Sequence, residues 1–127
     1  MSHKIFYDKC SEKKQEPRQS VVSFNEYGGT WADVNNVLIK VGNIEIANYN
    51  LSGVFDTAGL VVKLRDAINA TTGHHGFSAI VGSPDTDLNI RHWDSFIDGI
   101  TPTVTITYDE PYTPLTFTVS AFTILYP

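Results

Sequence analysis

The chain has 127 residues, 42% of them apolar and only 18% charged, with a net charge of −5. That length holds one domain with a single core. The acidic balance excludes nucleic acid as the main partner, since phosphate binding needs a basic face. The lone cysteine, Cys10, excludes an intrachain disulfide and fits a reducing compartment.

Residues 1–20 read as an extended N-terminal arm, followed by a single domain over 21–127. Between Asp8 and Ser20 the only residues that are not plainly polar are Cys10 and Pro17, a composition that cannot offset the entropy of ordering by itself. Ile5, Phe6 and Tyr7 form an apolar anchor ahead of it. Lys4, Lys9, Lys13, Lys14 and Arg18 outnumber Asp8, Glu12 and Glu16, giving the arm +2 and the rest −7. A positive arm on a negative body suits docking onto a copy of itself or a sibling subunit. Met1–Tyr7 is too short and polar for a signal peptide, and no stretch approaches the 18 apolar residues of a membrane span.

Val21, Val22 and Phe24 read as a short strand. Val37–Val41 and Ile44–Asn48 flank Gly42-Asn43, a two-residue hairpin signal with glycine first, which predicts a type II′ turn. Pairing across it sets Val41 against Ile44, Lys40 against Glu45 and Ile39 against Ile46. Next, Leu60, Val61, Leu64, Ala67, Ile68 and Thr71 recur at helical spacing. The spacing predicts an amphipathic helix over about 57–72, with Asp56 or Thr57 as N-cap, Gly73 as the stop, and Lys63, Asp66 and Asn69 on or near the outer side. Phe77–Val81 and Leu88–His92 alternate as two strands around a Ser83–Thr86 turn. Gly99–Pro127 reads as a second hairpin, Val104–Tyr108 against Leu115–Val119. A slip of the alternation at Ala121-Phe122 predicts a bulge. The apolar end Phe122–Tyr126 either closes the sheet or joins a neighbour's, through Phe122, Ile124 and Tyr126. The fold class is therefore α+β, mainly antiparallel β, with one amphipathic helix packed on a sheet.

The string Asp56-Thr-Ala-Gly-Leu-Val-Val-Lys-Leu-Arg-Asp-Ala-Ile-Asn-Ala-Thr-Thr-Gly73, then Phe77-Ser-Ala-Ile-Val81 and Leu88-Asn-Ile90, resembles a small module of bacterial flagellar filament and hook-associated proteins. Similar modules occur in bacteriophage tail and baseplate proteins. The resemblance spans about residues 37–92. This chain lacks the long coiled helical ends of flagellar proteins, which favours the phage side. The resemblance implies a structural role in a virion, in a tail, neck or capsid-associated layer. It would be a homo-oligomer assembled in the host cytoplasm, with no cofactor and no catalytic residue carried over.

Catalytic and metal chemistry finds little support in the sequence. His74-His75 could clip a metal with His92, but the polar-turn reading is simpler, and no metal or cofactor is expected. Asp85–Asn89 begins like a calcium loop but has Ile90 and Phe96 where glycine and glutamate are required. Cys10 has no scaffold to hold a base. Two other readings stand beside the structural one: a carbohydrate- or receptor-binding module using exposed Trp and Tyr, and a small hydrolase using His92 with Asp94. The second requires a concave pocket holding both side chains.

Overall fold

The computed structural model describes residues 16–25, 34–50, 56–108 and 115–125. Two antiparallel sheets and one long helix share a core, as an α+β fold dominated by β-structure. The elements are β1 (Arg18–Phe24), β2 (Val34–Val41), β3 (Ile44–Asn50), α1 (Thr57–Ala70), α2 (Thr72–His75), β4 (Ser78–Val81), β5 (Asp87–His92), β6 (Thr103–Tyr108), β7 (Phe117–Val119) and β8 (Thr123–Ile124). A 3-10 turn covers Ser95–Ile97.

The first sheet runs β4-β5-β1-β7, with β8 also on β1; the second runs β3-β2-β6. β1 is central because its residues alternate fully, with Arg18, Ser20, Val22 and Phe24 buried and the residues between half-exposed. Arg18 therefore belongs to the fold, not to the arm, and its position corrects the arm boundary expected at residue 20. Ile5, Phe6, Tyr7, Lys9, Lys13, Lys14 and Tyr126 lie outside the described residues.

The β2-β3 hairpin closes at Gly42, whose φ of 61° is the left-handed conformation that glycine adopts without a Cβ penalty. Among the described residues only glycines have positive φ, so Asn43 does not, which fits the type II′ turn. Val41 pairs with Ile44 and Lys40 with Glu45, as expected; a bulge then sets Ile39 opposite Ala47. The extra residue lets Ile46 and Ala47 both point into the core.

α1 begins at Asp56, whose carboxylate accepts the Gly59 N–H at 2.6 Å. It buries Leu60, Val61, Leu64 and Ile68 and packs on β4 and β5 of one sheet and β3 of the other. The helix does not run on to residue 72. It breaks at Thr71, and the single turn of α2 passes through Gly73. The left-handed stop is Gly76, φ 80°, whose N–H reaches the Thr72 carbonyl at 2.7 Å.

The expected C-terminal hairpin does not form. β6 pairs with β2, while β7 pairs with β1 of the other sheet. Alternation sets which face of a strand is apolar and leaves its partner open; here β2 and β1 are the better-buried partners. The bulge near Ala121 is present. Val22 faces Val119 and Gln19 faces Thr123, so three residues of one strand span two of the other. Ser120 anchors the step: its hydroxyl accepts the Val21 N–H at 2.9 Å, and its carbonyl accepts the Ser20 hydroxyl at 2.7 Å. β7 and β8 thus belong to the chain's own larger sheet. Phe122 is fully buried against Phe77, with ring centroids 5.8 Å apart, so it is a core residue and not a docking contact.

Candidate functional site

The free edge of β4 is covered by polar side chains from the helices. The Asn69 amide accepts the Ala79 N–H and donates to the Ala79 carbonyl, both at 2.9 Å. The Thr72 hydroxyl donates to the Phe77 carbonyl at 2.8 Å, and His75 Nδ1 accepts the Phe77 N–H at 3.0 Å. Residues 69, 72 and 75 recur every three positions and run along the edge. An open edge row invites another strand, and these side chains occupy it. The outward side expected for Asn69 is thus a backbone-pairing position.

A cleft of about 510 Å³ opens beside the end of β5, lined by Glu16, Arg18, Gly76, His92, Trp93, Asp94 and Ser95. Trp93 stays 55% exposed. Arg18 is 93% buried; its Nη1 donates to the Glu16 carbonyl at 2.8 Å. Its Nε lies 3.5 Å from the Asp98 carboxylate, yet makes no hydrogen bond among the described residues. Phe96, more exposed than Trp93, meets the edge of the His92 ring at 5.5 Å.

His92 packs its ring on Phe77, centroids 4.4 Å apart, and its Nδ1 accepts the Asp94 N–H at 3.0 Å. The neutral ring therefore carries its proton on Nε2. Nε2 sits beside Gly76, where a Cβ would come within 2.8 Å of it. Burial lowers the His92 pKa, opposed by the charge of Asp94. For His75, burial and then the neighbouring His74 lower the pKa. His75 is similarly arranged: Nδ1 accepts, and Nε2 donates to the Thr71 hydroxyl at 2.9 Å.

The cleft does bring His92 and Asp94 together, the juxtaposition the hydrolase reading required. The chemistry of the pair differs from that reading. A general base must present a bare nitrogen to the nucleophile's proton, with a carboxylate holding the other N–H. Here a backbone N–H occupies Nδ1, so Nε2, which lies beside Gly76, carries the proton and is a donor in this tautomer. Among the described residues no three His, Cys, Asp or Glu side chains gather as metal ligands, and none of the helices is long and apolar enough to cross a membrane.

Of the contact residues read from sequence within the described set, only Ile124 is exposed, on β8 paired with Arg18. The cleft was missed because its floor residue, Arg18, sits in a run of polar residues that gives no sign of burial. No protein-family model, curated protein or solved structure matches the chain.

Proposed function

We propose that this chain is a non-enzymatic structural subunit of a large assembly, a phage virion layer in the tail, neck or capsid-associated shell. It joins copies of itself and sibling proteins through residues 1–15 and exposed sheet surface. The observation that carries the reading is the outer face of the β3-β2-β6 sheet. The strand registers set Thr103, Thr105 and Thr107 beside Lys40, Leu38 and Asn36, and these beside Glu45, Asn48 and Asn50. The face is an array of uncharged polar groups around a half-buried Leu38, and its single cation and anion oppose each other. Asn36 donates to Asn48 within it. Water satisfies these groups, but a second sheet face can match their donors and acceptors. The near absence of net charge keeps the desolvation cost of such a contact below that of a charged face.

Size decides what else is needed. Between outermost Cα positions the array covers roughly 10 by 13 Å, far short of the ~800 Å² that each partner gives a stable interface. Residues 1–15, with Ile5-Phe6-Tyr7 and a net +2 against a body of −7, supply the remaining contact. The virion assignment itself rests on the resemblance of residues 37–92. The test is light scattering of the full chain from dilute to concentrated solution. The expected result is a mass that rises with concentration, and a Leu38→Asp variant that keeps its circular dichroism but stays monomeric. A wild-type chain that is monomeric throughout, or a variant that associates normally, would overturn the reading.

A further inference from the structure

We infer that the cleft beside Trp93 is a binding site for an uncharged saccharide. Its lining combines an exposed indole with groups of both hydrogen-bonding senses. The Arg18 guanidinium and the His92 Nε2–H donate, the Glu16 and Asp94 carboxylates accept, and the Ser95 hydroxyl does either. Arg18 is held in place beside the cleft: its Nη1 donates to the Glu16 carbonyl, and its Nε, shielded from solvent, lies 3.5 Å from the Asp98 carboxylate, so the guanidinium is a fixed cation in the lining.

Three classes of ligand compete for this lining. An apolar ligand would cover Arg18, Glu16 and Asp94 without replacing their water, at heavy desolvation cost. An anionic ligand meets Arg18 but also Glu16 and Asp94, with Asp98 already 3.5 Å from the guanidinium, so the local charge is negative. A neutral sugar satisfies all of it. Vicinal hydroxyls donate to a carboxylate while accepting from a guanidinium or imidazole N–H. The C–H face of the ring lies on the electron-rich indole face. The cleft volume falls within the range of small-ligand sites and admits more than one ring.

The experiment is calorimetric titration and amide NMR of the full chain with neutral oligosaccharides terminating in glucose, galactose, mannose or N-acetylglucosamine, with sialyllactose as the anionic probe. At least one neutral sugar is expected to bind saturably and shift the amides of Gly76, Trp93 and Ser95. Trp93→Ala should weaken that binding by about tenfold or more, Trp93→Phe by less, and Asp94→Asn measurably. Ile80→Ala, altering an exposed residue of β4 away from the cleft lining, should leave it unchanged. Trp93 is mostly solvent-facing, so its loss leaves the core intact. The inference fails if no neutral sugar binds, if sialyllactose binds as tightly as lactose, or if Trp93→Ala binds like wild type. Self-association is a separate readout, so this failure and that of the structural role are distinguishable.

Discussion

Replacing Asn69 by alanine tests the edge cover of β4 most directly. The substitution removes two hydrogen bonds, one to each backbone group of Ala79, while improving helix propensity by a few tenths of a kcal/mol. At about 1 kcal/mol net per bond, reduced because Asn69 is exposed and water replaces part of the loss, the cost is about 1–2 kcal/mol. A chain of 127 residues has an unfolding entropy of about 0.27 kcal/mol/K near its midpoint, so Tm should fall by about 4–7 °C. Hydrogen exchange gives the local readout. The Ala79 amide, which donates to Asn69 and not to β5, should exchange much faster in Asn69→Ala. Asn69→Asp keeps the acceptor and loses the donor, so it should protect the amide while destabilising by an intermediate amount. If Asn69→Ala melts within about 1 °C of wild type and the Ala79 amide stays protected, the reasoning about the edge is wrong.

Phe122→Ala should cost about 3–5 kcal/mol in denaturant melts, because the ring is fully buried on Phe77; a surface contact residue would lose almost nothing. Gly76→Ala should cost about 1–2 kcal/mol from its left-handed backbone alone, and the new Cβ must displace His92, visible as a shift of that ring's NMR signals. Stability should fall on acidification. Both His75 and His92 titrate below 6.5 when folded, so as pH drops through 6.5 the unfolded chain takes up protons first. Their contribution is whole above pH 6.5 and is lost as pH falls through the folded values, because each protonated Nδ1 can no longer accept its backbone N–H. Melting temperatures from neutral to mildly acid pH should show this decline, and His75→Asn together with His92→Asn should flatten it.

What could be read in the chain beforehand was what is local. The Gly42 turn, the Asp56 cap, the stripe from Leu60 to Ile68 and the alternation of Phe77, Ala79, Leu88 and Ile90 each arise from neighbours within a turn or a strand, and all are present. Pairing across long separations was not legible. Thr103–Tyr108 and Phe117–Val119 both alternate correctly, yet nothing in alternation says that one joins β2 and the other β1. The binding features were hidden for a related reason. Asn69 looks like a surface residue of a helix until the edge of β4 is beside it. Arg18 looks like part of a charged leader until β5 and β8 flank it. His92 and Asp94 were adjacent enough to notice, but the tautomer that decides their chemistry depends on a backbone N–H.

The central place of β1 has a consequence for biosynthesis. Its hydroxyl and amide groups at Ser20 and Val21 are matched by a residue about a hundred positions further on. During translation the first strand emerges early and waits, one flank open, until residues 117–124 leave the ribosome. The β2-β3 hairpin and α1 can form within that interval, but the larger sheet closes only once residues 117–124 have been made. Nascent copies crowded on one message therefore present matching open flanks to each other, which makes exchange of the β7–β8 segment between neighbours the characteristic misfolding hazard of this topology.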